Sequence, residues 1–94
     1  DDMARLDDEQ IARQLRGSDW RREGDALVRD LRFPDFAAAL RYVNAVAALA
    51  EQADHHPDLL LHSWNRVRLT LSTHAEGGVT AADVALARRI DALG

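Results

Sequence analysis

The chain of 94 residues contains no cysteine and no lysine, only two prolines, and few aromatic residues. Without cysteine, the fold cannot be held by disulfide bonds, and nothing supports secretion. No segment approaches the roughly 18 apolar residues of a membrane-spanning helix, and no signal-peptide pattern opens the sequence. We therefore expect a cytoplasmic protein without a membrane partner.

All twelve cationic side chains are arginines, and the formal net charge is −4. Four of these arginines cluster between positions 21 and 32, but three acidic residues interrupt them. A nucleic-acid-binding surface normally shows a continuous basic stripe and a positive balance of charge. We therefore expect no direct nucleic-acid partner and interpret the cluster as a solvated hairpin surface.

Hydrophobic residues make up 47% of the chain and charged residues 30%, which is typical of a globular protein. The length suits one domain over residues 1–94. A domain this small buries only about 60% of its unfolded surface, so its stability margin is small. Self-association would add buried surface, and the apolar run Leu59–Leu61 favours it.

The hydrophobic pattern predicts an α+β fold with the order α-β-β-α-β-β-α. The predicted elements are a helix opening at Leu6–Gln10, strands Trp20–Arg22 and Ala26–Leu31, a helix Phe36–Ala53, strands Leu59–Trp64 and Arg66–Thr73, and a last helix entered through a capping box at Thr80 and Asp83. Two hairpins with helices between and around them suggest a four-stranded antiparallel sheet with three helices packed on one face. In the last strand, apolar and polar residues alternate. This pattern predicts that Val67, Leu69 and Leu71 are buried on one face and that the polar residues of the other face form a row ending at His74.

The segment Asp54-His55-His56-Pro57 concentrates groups that can transfer protons. Pro57 disfavours helical backbone at His56, so the long helix should end near Asp54 or His55. Glu51 lies one turn before His55, and a carboxylate beside an imidazole stabilises its protonated form and fixes its orientation. Histidine, with an unperturbed pKa of about 6.5, exchanges protons near neutral pH. The pattern favours an acid/base site.

Simpler interpretations stay open for each of these residues. Histidine followed by proline also suits an ordinary helix C-terminus, and Asp83 is explained by its capping box alone. Metal binding is disfavoured because adjacent side chains on a helix point about 100° apart, unlike an H-E-x-x-H pair. His62 is more simply a packed or partner-facing residue. Trp20 and Trp64 suit the core or an interface, although either could stack on a flat ligand.

Three segments together resemble the pterin-4a-carbinolamine dehydratase family over nearly the whole chain. They are Glu51-x-x-Asp54-His55-His56-Pro57, then Asn65-Arg66-Val67-x-Leu69-Thr70-Leu71-Ser72-Thr73-His74, and Gly78-Val79-Thr80 followed by Asp83. The resemblance implies the α+β fold given above, assembled as a homodimer or homotetramer. It also implies removal of water from 4a-hydroxytetrahydropterin to give quinonoid dihydropterin, without a metal or bound cofactor.

The resemblance also implies roles for individual residues. The predicted acid–base pair is His55 and His74, and His56, with Pro57 beside it, mainly holds the pterin. Glu51 and Asp54 are implied to orient the imidazoles or to accept hydrogen bonds from pterin N–H groups. Ser72 and Thr73 are implied to form hydrogen bonds with the planar ring, and Asp83 is implied to support His74.

Two other functions compete with the enzyme. Some members of this family act as binding partners of another protein, and related folds serve as assembly factors, so the chain could be an interaction module. It could also bind a pterin without turning it over. An interaction module has no physical reason to keep the full histidine set, and we therefore favour the enzyme.

Overall fold

The computed structural model describes residues 4–93 and contains seven regular elements besides one short 3-10 helix, His74–Glu76. The helices are α1 (Asp8–Gln14), α2 (Phe36–Ala53) and α3 (Ala81–Asp91), and the strands are β1 (Arg21–Glu23), β2 (Ala26–Arg32), β3 (Asp58–His62) and β4 (Arg66–Leu71). The strands form one antiparallel sheet in the order β1-β2-β4-β3. The predicted α+β class and element order are confirmed.

One face of the sheet forms the core with the helices. In the register of β2 and β4, Leu27 lies opposite Leu71, and Leu31 lies opposite Val67. Leu27, Leu71, Val67 and Leu69 are fully buried. The alternation predicted for β4 is therefore confirmed, and it fixes the opposite face of the sheet as the solvent face.

Helix α2 has the predicted bounds because a local capping signal is present at each of its ends. The Asp35 side chain accepts a hydrogen bond of 2.7 Å from the Ala38 N–H, which caps the first turn. The helix buries Ala39, Val46 and Ala50 against the sheet. Its other end lies at the histidine segment and is described with the site.

Two strand ends lie two residues before their predicted positions, and the other differences are of one residue. Strand β3 ends at His62, so Ser63 and Trp64 lie in the connection to β4, both with positive φ (49° and 56°). Strand β4 ends at Leu71, because Thr73 pairs with Gly78 in a separate bridge. His74 therefore begins the 3-10 helix and does not extend the polar row of the strand.

A partly buried polar cluster joins the first hairpin to the end of α3. The Asp91 carboxylate accepts hydrogen bonds from Ser18 Oγ at 2.6 Å, Trp20 Nε1 at 3.0 Å and Arg29 Nη1 at 2.5 Å. Trp20 is buried, which agrees with a core role. The Arg29 side chain is only 17% exposed, so the interpretation of the arginine cluster as solvated surface is wrong for this residue.

None of the helices within residues 4–93 combines the length and the apolar character that crossing a membrane requires.

Candidate active site

The end of α2 is shaped by a left-handed residue that reverses the chain. Asp54 has φ 50° and ψ 41°, its N–H donates to the Glu51 carbonyl at 3.3 Å, and the His55 N–H donates to the Ala50 carbonyl at 3.2 Å. This pair of bonds is a Schellman motif, which usually has glycine at the left-handed position. The motif directs His55 and His56 away from the helix axis before Pro57 leads into β3.

His55, one member of the predicted acid–base pair, is held by a carboxylate distant in sequence. Its Nε2 lies 2.6 Å from Oδ1 of Asp83, the third residue of α3. A carboxylate can only accept, so Nε2 carries a proton in this contact. The tautomer is thereby fixed, and Nδ1 is the ring nitrogen that can exchange a proton with a ligand. The His55 side chain is 17% exposed, so most of the ring is covered by the protein.

Asp83 is fully buried and is satisfied by donors from three segments. Besides His55, its carboxylate accepts from Thr73 Oγ1 and from the Thr80 N–H, both at 2.9 Å. The Thr73 and Thr80 hydroxyls are also 2.8 Å apart. A buried carboxylate is tolerated only when such donors replace its lost hydration. The predicted capping box is confirmed, and the histidine that Asp83 contacts directly is His55, whereas it reaches the segment of His74 through Thr73.

His74 follows Thr73 directly and is exposed at the start of the 3-10 helix. The turn is closed by the Gly77 N–H, which donates to the His74 carbonyl at 3.1 Å, and by the Thr73 N–H, which donates to the Gly78 carbonyl at 2.9 Å. Gly77 occupies a left-handed conformation, φ 69°, that suits glycine. Through Thr73 and Asp83, the segment carrying His74 is tied to the segment carrying His55.

Of the remaining predicted site residues, some have exposed side chains and others have side chains that are hydrogen-bonded within the protein. Glu51 pairs with His56, and both side chains are exposed, at 76% and 57%, so a ligand can reach them. The Ser72 hydroxyl donates to the Asp25 carbonyl at 2.8 Å. Thr73 is buried, and its hydroxyl belongs to the Asp83 network. In this arrangement Ser72 and Thr73 position the end of β4.

The site lies on an open surface of the chain. A cavity of about 340 Å³ lies beside the turn after His74 and is lined by residues that include Arg5, Arg22, Gly77 and Gly78. Neither His55 nor His74 lines this cavity. Residues 4–93 contain no group of three or more histidine and carboxylate side chains arranged to hold a metal ion.

The sequence could not supply the bond from Asp83 to His55. These residues are separated by 28 positions, and only the packing of α3 beside α2 brings them together. The capping-box spacing of Thr80 and Asp83 was the available signal, since it places a carboxylate in the first turn of α3.

Comparisons with known proteins match this chain to a single family. Residues 4–93 match the family model described as pterin 4 alpha carbinolamine dehydratase. A protein of Thermomicrobium roseum, provisionally named a pterin-4-alpha-carbinolamine dehydratase, is 53% identical over 89 residues, which are 94% of this chain and 95% of the relative. A Metallosphaera sedula protein with the same provisional name is 44% identical over 92 residues, covering 97% and 95% of the two chains.

Solved structures agree with these sequence matches. A crystal structure from Brucella melitensis, described as a transcriptional coactivator/pterin dehydratase, superposes with a TM-score of 0.85 at 36% identity and covers 95% of this chain and 97% of the other. A pterin dehydratase-like protein described as a RuBisCO assembly factor in the alpha-carboxysome gives a TM-score of 0.64 at 27% identity, with 79% and 84% coverage. With a match that spans the described chain, this protein belongs to the pterin-4-alpha-carbinolamine dehydratase family.

Proposed function

We propose that this protein dehydrates 4a-hydroxytetrahydropterin to quinonoid dihydropterin and so supports recycling of a pterin cofactor. The observation that carries the proposal is the Asp83 carboxylate, which binds His55 from the end of α2 and Thr73 beside His74. Two histidine-bearing segments are thereby tied together in a chain whose family takes its name from this reaction.

The reaction needs one proton donor and one proton acceptor. Protonation of the hydroxyl on ring carbon C4a turns it into water, which leaves with the electrons of the C–O bond. A base removes the hydrogen from ring nitrogen N5, and the electron pair of that N–H bond forms the new N5–C4a double bond. The protons taken up and released balance, and no electrons enter or leave, so two imidazoles suffice.

We assign the proton transfers to His55 and His74. The bond from His55 Nε2 to Asp83 leaves Nδ1 to act on the substrate. The exposed pair of His56 and Glu51 is available for the polar edge of the pterin, and Asp54 and Pro57 shape the segment between them. Asp83 and Thr73 act as positioning residues, since their polar groups bind protein.

We further propose that the protein works as a homodimer or homotetramer. Several large apolar side chains are exposed on a single copy, more than a small domain normally leaves in water. They include Phe36 at 51% and Leu40 at 42% exposure, both on α2. Burial of these side chains against a second copy would remove them from water. Sedimentation of the purified protein measures this state, and a single monomeric species would contradict it.

The enzyme is tested by mixing the purified protein with freshly prepared 4a-hydroxytetrahydropterin and following the loss of its ultraviolet absorbance. We expect turnover far above the uncatalysed rate, and H55A and H74A should slow it by about 10²- to 10⁴-fold each. The control variant H62A removes the fourth histidine and should leave turnover unchanged. A wild-type rate equal to the background would refute the proposed function.

A second candidate function is that of a protein-interaction module without catalysis. The exposed apolar side chains of α2 favour it, as does a structural neighbour described as a RuBisCO assembly factor. The same assay separates the two functions, because an interaction module leaves the reaction at its background rate. An interaction module also has no need of the hydrogen bond that fixes the His55 tautomer.

A further inference from the structure

Three basic side chains lie side by side on the solvent face of the sheet. In the strand register, Arg32 of β2 lies opposite Arg66 of β4, and Arg66 lies opposite His62 of β3. Like charges directly opposite each other on neighbouring strands destabilise a sheet. The arrangement therefore costs stability.

The neighbouring row of the same face shows how such charges are normally compensated. There Arg68 donates to Asp30 from Nε at 2.8 Å, and Arg21 donates to the same carboxylate at 2.8 Å. Among the residues that the structure describes, no carboxylate forms an ion pair with Arg32 or Arg66. The positive charge of Arg32 and Arg66 therefore faces solvent.

An exposed aromatic side chain lies at the same end of the sheet. Trp64, in the connection between His62 and Arg66, is 61% exposed and has a positive φ of 56°. A bulky residue in this conformation is a strained outlier, and such strain often marks a functional position. Leu60 is 53% exposed, and a cavity of about 590 Å³ on this face is lined by Leu60, His62, Arg66 and Arg32 together with the ion pair of Arg68 and Asp30.

We propose that these residues form a docking surface for a short acidic segment of another protein. The docking surface consists of Arg32, Leu60, His62, Trp64 and Arg66. Tryptophan and arginine dominate the binding energy of protein interfaces, and the uncompensated arginines select carboxylates. A long polyanion such as nucleic acid fits less well, because the row holds only two arginines and the whole chain carries a charge of −4. This surface serves a partner, independently of pterin turnover.

The test uses the full-length protein and a fluorescein-labelled peptide in which glutamate alternates with leucine. Fluorescence anisotropy should show saturable binding that weakens as salt is raised. The double variant R32E/R66E should bind at least tenfold more weakly, whereas R16E, an exposed charge reversal outside the surface, should bind like wild type. A peptide with glutamine in place of glutamate should bind at least tenfold more weakly to wild type.

Several results would overturn the proposal. These are absence of peptide binding, equal binding by R32E/R66E and R16E, equal binding of the glutamine peptide, and tighter binding of a single-stranded oligothymidine than of the acidic peptide. A changed sedimentation coefficient in R32E/R66E would show that this face joins copies of the chain, which also contradicts it. Unfolding measurements verify that the variant is folded, and R32Q/R66Q provides a milder substitution if it is not. Pterin turnover by these variants should stay at the wild-type rate.

Discussion

The Nε2 of His55 lies 2.6 Å from the Oδ1 of Asp83, whose side chain is fully buried in the first turn of α3. This bond joins the end of one helix to the start of another. The same carboxylate also binds Thr73, so the position of His55 depends on the position of the segment that carries His74. Disturbance of Asp83 should therefore affect both stability and the relative placement of the two imidazoles.

The variant D83N keeps the size of the side chain but replaces one acceptor oxygen by a donor. Since three donors converge on Asp83, at least one buried contact is lost, and we expect unfolding to require about 1–3 kcal/mol less free energy. Urea denaturation measures this loss. Gln10 offers a matched control, because it occupies the same position in the exposed capping box of α1. Q10A should cost about 0.5 kcal/mol, the low end for a cap.

D83N should also separate positioning of His55 from general damage to the fold. Under conditions where the variant is fully folded, we expect kcat to fall while the Kd for an oxidised pterin changes little, because Asp83 does not reach the ligand. Equal losses of kcat and of pterin affinity would show that Asp83 contributes only to folding.

The two proposed catalytic histidines should behave as one unit. If His55 and His74 carry out the two coupled proton transfers, the double variant H55A/H74A should be little slower than the worse single variant. Single-turnover kinetics of the four proteins measures this coupling. If the two losses instead multiply, each histidine acts in a separate step. Binding of an oxidised pterin by all four proteins verifies that the site survives substitution.

The local pattern of the chain predicted most of the fold, and its failures have physical causes. The bounds of α2 were correct because a regular apolar repeat meets a capping aspartate and a chain-reversing residue. The strand before His74 was predicted too long because alternation continues to Thr73, whereas the backbone of Thr73 pairs with Gly78. No local signal reports such a pairing.

The partners of charged side chains were the feature that the sequence predicted least well. In the sequence, Arg29 cannot be distinguished from the other residues of the arginine cluster. In the structure it faces the helices and donates a hydrogen bond to Asp91 at the end of α3. The bond from Asp83 to His55 is similar, since it depends on the way two helices pack. The sequence thus located the candidate site, and tertiary structure determined which carboxylate orients which histidine.

The strain at Trp64 predicts an unusual response to substitution. Because its φ is 56°, an L-residue pays a steric cost there that glycine avoids. We expect W64G to be more stable than W64A by about 1 kcal/mol, although glycine normally destabilises relative to alanine. Chemical denaturation of the two variants measures the difference. Equal midpoints, or a more stable W64A, would contradict the left-handed conformation of this residue.

The ion cluster on the solvent face of the sheet predicts a pH dependence of stability. Hydrogen bonds from Arg68 and then Arg21 lower the pKa of Asp30 to about 2, against about 3.9 in an unfolded chain. The folded state therefore favours the charged carboxylate. Its contribution is complete above pH 4 and is lost as the pH falls from about 4 through about 2.

The variant D30N removes this titration. Between pH 4 and pH 2 the free energy of unfolding should fall less steeply in D30N than in wild type, and the two proteins should converge at lower pH. The effect is modest because the Asp30 side chain is 42% exposed, and molar salt should reduce it further. Urea titrations at a series of pH values measure the slopes, with D58N, an exposed carboxylate on β3, as the control. Parallel slopes for D30N and wild type would show that the arginines do not stabilise the carboxylate.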